Sequence, residues 1–168
     1  MIVTSLSCSI FVHKYNEMKS NYLKYWRVIR QYMKAKYGLS QSDLDILLFL
    51  YSESYFGKDK FDEFNQLISW ERKRFDRLLR DGWIENFRQT KNRRFKGIYN
   101  LSFKAKKMIA SLYSKLEGKE IPEHVDNNPM FRKKVKYTDK VYRNMIKTMN
   151  AEIRQKRITG QVPHLVPE

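Results

Sequence analysis

Cysteine is almost missing: Cys8 is the only one in 168 residues. A single thiol can close no internal disulfide and supply no cysteine-based zinc site, and its scarcity suits a reducing compartment. Histidine is hardly commoner. His13, His124 and His164 stand far apart with no ligand spacing, so no metal site is expected. None of the six glycines falls in a glycine-rich phosphate loop. Long apolar runs are missing too, with nothing near the roughly 18 residues that span a bilayer. The opening MIVTSLSCSIFV lacks a basic start and is broken by Ser and Thr, which makes it a poor signal peptide. A cytoplasmic protein with no membrane partner is expected. No Ser-His-Asp, Cys-His or paired-carboxylate arrangement can be assembled, so no catalytic residue is assigned and no cofactor is expected.

What the chain does have is positive charge. Thirty-four Lys and Arg stand against 18 acidic residues, for a net +16. A small domain with that surplus repels itself unless a polyanion or counterions offset it. Nucleic acid is the commonest such partner, and an anionic membrane surface comes next. The charge is uneven: residues 1–38 carry +6, 39–67 carry −4, 70–107 carry +9 and 130–157 carry +8. Apolar residues at 42 % and aromatics at 14 % supply a core.

Apolar periodicity divides the chain. Tyr15, Met18, Tyr22, Trp26, Ile29 and Met33 recur at helical spacing up to Gly38, with Lys24, Arg27, Arg30 and Lys34 between them. Ser40 or Ser42 caps a second helix that would bury Leu44, Leu47, Leu48 and Tyr51. Phe61, Phe64 and Leu67 or Ile68 mark a short third helix. Ser69 stands as N-cap of a fourth over 70–81, with Phe75, Leu78 and Leu79 inward. Gly82 ends it. Residues 83–89 and 98–101 read as strands, with Phe87, Tyr99 and Leu101 as packing residues. Ser102 caps a fifth helix that buries Met108, Ile109, Leu112 and Leu116 and stops before Gly118. GKEIPEHVDNNP reads as a linker. Val141, Met145, Met149 and Ile153, spaced by four, mark a last helix.

The expected fold is mainly α with a small β-hairpin (α+β). Three helices followed by a hairpin is the winged helix-turn-helix plan, here with N- and C-terminal helical extensions. Segment 1–38 holds the first amphipathic helix, 39–118 the winged unit, 119–131 a linker, and 132–168 a basic helix and tail.

Within the winged unit, cations concentrate on two neighbouring elements. Arg72, Lys73, Arg74, Arg77 and Arg80 recur along the fourth helix, and Lys91, Arg93, Arg94 and Lys96 fill the loop 90–97. A solvated basic face would carry the same helical residues, paired with Glu71, Asp76 and Asp81. A helix in a major groove and a loop at the adjacent minor groove would both need long cationic side chains, because phosphates line each groove. Charge, fold and placement agree on nucleic acid. Tyr22, Tyr25, Trp26 and Tyr32 are spaced as core or interface rather than as a stacking platform, and the methionines of the last helix read as packing.

LSQSDLDILLFLY, FDRLLRDGWIENFR, KNRRFKGIYNLS and SFKAKKMIASLY follow one another between Leu39 and Gly118. In that order and spacing they resemble the MarR-like winged-helix transcription regulators. The resemblance implies a regulator that binds double-stranded DNA, with helix 70–81 in the major groove and wing 90–97 at the minor groove. The contacts would come from Arg72, Lys73, Arg74, Arg77, Lys91, Arg93, Arg94 and Lys96. It also implies a homodimer through helices 15–37 and 135–157. The chain departs from the family pattern at Asn92, where the wing usually has an acidic residue ahead of its arginine. It departs again at Lys73 or Glu71, where the reading helix has an early apolar residue. The alternative keeps the winged fold for an interaction or structural protein that binds RNA, a replication complex or an acidic protein partner.

Overall fold

The computed structural model describes residues 22–88 and 97–159. The elements run α1 (Tyr22–Tyr37), α2 (Gln41–Tyr51), α3 (Lys58–Ile68), α4 (Arg74–Arg80), β1 (Ile84–Arg88), β2 (Ile98–Leu101), α5 (Phe103–Leu116), a 3-10 turn (Pro129–Phe131) and α6 (Tyr137–Ile158). The fold is mainly helical, with six α-helices and one two-stranded antiparallel sheet among the described residues. None of these helices is long and apolar enough to cross a membrane. Tyr15, Met18, the cations between 89 and 96, and the tail after Thr159 lie outside the described residues.

Local chemistry sets the boundaries. Gly38 takes φ +66, and Leu39 N–H turns back to the Lys34 carbonyl, which closes α1. Ser40 and Asp43 form a reciprocal capping box at the start of α2: Ser40 Oγ accepts from Asp43 N–H at 3.1 Å, and Asp43 Oδ2 accepts from Ser40 N–H at 3.3 Å. α2 buries Leu44, Ile46, Leu47 and Leu50. It packs against α3 and α5 on different sides, so its inward face is wider than a single stripe. Tyr51, expected inside, pairs with Tyr113 at the surface. Ser102 caps α5 by accepting from Ala105 N–H, and its hydroxyl donates to the Gly82 carbonyl at 2.8 Å. Met108, Ile109 and Leu112 are buried as the periodicity predicts.

The hairpin pairs Ile84 with Leu101 and Asn86 with Tyr99, then slips so that Arg88 faces Ile98. The extra residue is Phe87, and such a bulge re-aims a side chain. Alternation from the buried Ile84 sets Phe87, three residues on, on the other face, so it is outside the core it was expected to join and lies on Tyr55, ring centres 4.4 Å apart. On the other edge of β2, Phe56 and Tyr99 exchange two backbone hydrogen bonds of 2.9 Å.

Two further expectations are corrected. Segment 119–131 is a packed strap, not a linker. Ile121 and Met130 are buried, and Asn150 of α6 binds the strap as a strand neighbour would: it accepts from Ile121 N–H at 3.0 Å and donates to the Ile121 carbonyl at 2.8 Å. Side-chain amides hold this segment, and amides leave no apolar period to read. The inward stripes of α1 and α6, expected to meet a second copy, are used inside the chain. Val28, Ile29, Tyr32 and Met33 of α1 join Ile146, Met149 and Ile153 of α6 in one core. Lys24 and Tyr25 reach Glu152, while Arg27 Nε donates to the Tyr142 hydroxyl. Val141 and Met145 stay outside.

Removing the Asn150 amide leaves both Ile121 backbone groups buried and unpaired. Asn150→Ala is expected to cost about 2–4 kcal/mol, read from urea unfolding. A loss below about 1 kcal/mol would mean that water replaces the amide.

Lys115 is a buried cation whose Nζ meets Ser111 Oγ at 3.1 Å and the Ser111 carbonyl at 3.4 Å, with no carboxylate in ion-pair range among the described residues. Burial, then the charges of Lys36 and Lys119, push it down to about 8. Burial likewise raises the neighbouring Tyr32 phenol to about 12. Below pH 8 the folded chain carries a charged Lys115 at a cost the unfolded chain does not bear. That cost is relieved as pH climbs from 8 to the ordinary 10.5. Lys115→Met is expected to raise the melting temperature at neutral pH, with the advantage shrinking across that window. An advantage that stays constant with pH would refute this account.

Candidate nucleic-acid interface

The α3–turn–α4 unit is organised from inside. Ser69, expected as the N-cap of a helix over 70–81, is instead the C-cap of α3, with φ −171 and ψ 118, and its N–H bonds to the Asn65 carbonyl. An extended residue there stops the helix, so residues 69–73 form a turn and α4 begins only at Arg74. The turn is filled by one side chain. Arg74 is 3 % exposed; its guanidinium donates to Asn65 Oδ1, to the Ser69 carbonyl at 2.6 Å and to Ser69 Oγ at 3.0 Å. Asn65 Nδ2 in turn donates to the Glu71 carbonyl at 3.1 Å.

Two carboxylates complete the clamp. Arg74 Nε lies 3.2 Å from Asp43 Oδ1 without the alignment of a hydrogen bond, and Arg74 Nη2 lies 3.2 Å from Glu71 Oε2. Arg77 bridges the same pair, donating to Asp43 at 2.6 Å and to Glu71 at 2.5 Å. Burial alone would raise the Asp43 carboxyl. Hydrogen bonds from Ser40 and Arg77, together with the Arg77 charge, outweigh burial and hold it below its ordinary 3.8. The Glu71 hydrogen bond, then that of Asp43, hold the Arg77 guanidinium more firmly protonated.

The eight sequence-predicted contacts therefore separate into three groups. Arg72 and Lys73 stand exposed on the turn ahead of α4. Arg74 is internal, and Arg77, 33 % exposed, is committed to two carboxylates; as free contacts both are corrected. Arg74 lies one turn before the buried Leu78, on the face that meets Asp43 of α2 and Asn65 of α3, and Arg77 borders that face. Lys91, Arg93, Arg94 and Lys96 lie outside the described residues. Arg80 is exposed and 3.4 Å from Asp81, a solvent-screened pair of small worth. Lys104 sits 4.0 Å over the Trp83 ring and donates to the Asp81 carbonyl.

Periodicity missed the clamp itself. Asp43 could have been found from its place three residues after Ser40, but nothing in the sequence marked Asn65. Trp70, expected to start the helix, is an exposed turn residue. Among the described residues no group of three or more His, Cys, Asp or Glu could hold a metal. Compared with known proteins, the chain matches no family model, no curated protein and no solved structure.

Asp43→Asn removes the charge that two buried or half-buried guanidinium groups share, and is expected to cost about 3 kcal/mol at neutral pH. Because the folded carboxyl sits below 3.8, its contribution is present above that value and lost as pH falls through the folded value. Urea midpoints of the two proteins should converge in acid; a gap that does not narrow would exclude the clamp as its source.

Proposed function

We propose that the chain is a DNA-binding transcription regulator of winged helix-turn-helix type, as its resemblance to MarR-like proteins implies. One observation carries the reading. Arg74 and Arg77 are matched by Asp43 and Glu71, and by sequence the segment 70–107 holds eleven further cations against three further acidic residues, Asp76, Asp81 and Glu85. An external polyanion offsets such a surplus; the unit's own carboxylates do not.

The order of elements supports the plan: α2, the Phe56–Tyr99 pairing, α3, a turn, α4, then a hairpin. In this reading α3 and α4 form the helix-turn-helix, and β1 and β2 form the wing. Arg72, Lys73 and Arg80 reach phosphates or base edges beside α4. Arg74 and Arg77 act from within, fixing how α4 is presented. Lys91, Arg93, Arg94 and Lys96 serve the neighbouring groove from the wing. The exposed Tyr55–Phe87 pair beside Arg88 favours a second reading, in which the same cations bind RNA and an unpaired base stacks on the ring.

Fluorescence anisotropy on duplex DNA over a salt series tests the contacts. Changing Arg72 and Lys73 together to Ala should weaken binding and lower the slope of log affinity on log salt by about 2. Changing Arg93 and Arg94 together to Ala should act alike. Slopes unchanged in both double variants would defeat the proposal, and displacement of duplex by unlabelled RNA at equal concentration would favour the second reading. Recovery of one discrete site from random duplexes is the expected mark of a regulator.

A further inference from the structure

Two apolar features face outward. The first is a groove of about 590 Å³ lined by Trp26 of α1, Asp45, Leu48 and Phe49 of α2, and Ile68 of α3. Phe49 stacks on Phe64 with ring centres 5.2 Å apart, which fixes one wall. The Asp45 carboxylate, bound by Gln41 Nε2 at 2.7 and 2.8 Å, brings a negative charge to the lining. The second feature is the outer side of α6. Tyr137, Val141 and Met145 follow at four-residue spacing, so they share one side of the helix, and all three are exposed, Tyr137 at 80 %. Lys136, Lys140 and Lys147 are exposed around them.

The features complement each other in shape and in sign. A groove between helices accepts the apolar side of an amphipathic helix, anchored at positions three and four apart. Three of the five lining residues, Asp45, Leu48 and Phe49, belong to the stretch 39–67, which carries −4 in a chain of +16, whereas 130–157 carries +8. A nucleic acid would meet apolar walls and a carboxylate there. A basic amphipathic helix meets what it lacks, and this chain presents one.

We propose that the groove is occupied by α6 of a second copy of this chain. Tyr137, Val141 and Met145 of one copy seat against Trp26, Leu48, Phe49 and Ile68 of the other, with the flanking lysines near Asp45. Made reciprocally, the contact closes a two-fold dimer with two equal groove–helix contacts. The contact draws on the two helices implied by the resemblance but on their outer faces, together with α2 and α3, because their inward stripes are already buried against each other.

Sedimentation equilibrium of the nuclease-treated full chain, over a micromolar concentration series, tests it. The wild type should dimerise, and Phe49→Asp and Val141→Asp should each raise the dissociation constant at least about tenfold. An equimolar mixture of the two variants should associate more tightly than either alone, since an intact groove then meets an intact stripe once per dimer. Circular dichroism checks folding; should Phe49→Asp unfold, Asp45→Lys replaces it in the mixture. A wild type that stays monomeric overturns the proposal, as does association that neither variant weakens. A mixture no tighter than the tighter of the two variants overturns it too, because groove and stripe would then have other partners.

Discussion

The clamp among Asp43, Glu71, Arg74 and Arg77 is the constraint on which the presentation of α4 depends. It joins the first turn of α2 to the turn before α4 and to α4 itself. Ion pairs in such surroundings return little net stability, since desolvating the charges offsets most of their attraction. Their effect is on geometry. A short helix of seven residues has too few packing positions to fix its own direction, and Phe75 and Leu78 alone would let it roll. Arg74, tied to Asn65, Ser69, Asp43 and Glu71 at once, leaves one orientation in which every partner is met.

The same clamp decides which charges are available outside. A run of arginines on a helix looks like one basic face when counted along the sequence, but the fold splits it. Two members neutralise internal carboxylates, and Arg72 and Lys73 are held outward on the turn those two members fix. Interior and exterior are thus coupled: α4 begins at Arg74, whose guanidinium is satisfied inside, and Arg72 and Lys73 stand exposed on the turn ahead of it.

Element type and order were legible because apolar spacing, Ser caps and glycine stops agreed from Tyr22 to Gly118. Gly82, at φ +72, is where a residue after α4 must turn left-handed, and the sequence placed the stop there. The start of α4 was not legible, because Ser69 is a good N-cap in isolation and only its bond to Asn65 makes it a C-cap. Phe87 was misread because its apolar character was counted as packing, although alternation from the buried Ile84 sets it on the outer face. The strap escaped for a different reason: Asn128 and Asn150 act through amide hydrogen bonds, and buried polar residues resemble loop residues when only periodicity is read. The inward stripe on α6 was found at Met149 and Ile153 and lost at Val141 and Met145, because the packed face runs one position later, through Tyr142 and Ile146.

Arginine and lysine divide the work in both basic segments. On α6, Arg143 donates to the Met130 and Arg132 carbonyls, Arg154 binds Glu120 and Glu123, and Arg157 binds Glu120 and the Gly118 carbonyl. Arg74 and Arg77 do the same around α4. A planar fork with five donors can meet two or three acceptors set by the backbone, whereas an ammonium on a flexible stem gains less from fixed partners and is more strongly hydrated. Lys73, Lys106, Lys107, Lys140 and Lys147 accordingly face solvent. Among the described residues the one lysine drawn inside, Lys115, meets Ser111 and an aromatic ring but no carboxylate, and its lowered protonation follows from that burial. The net charge is therefore not one property spread over the surface: among the described residues Arg74, Arg77, Arg143, Arg154 and Arg157 hold the turn and the strap in place, while Arg72, Arg80 and the lysines just named stay exposed.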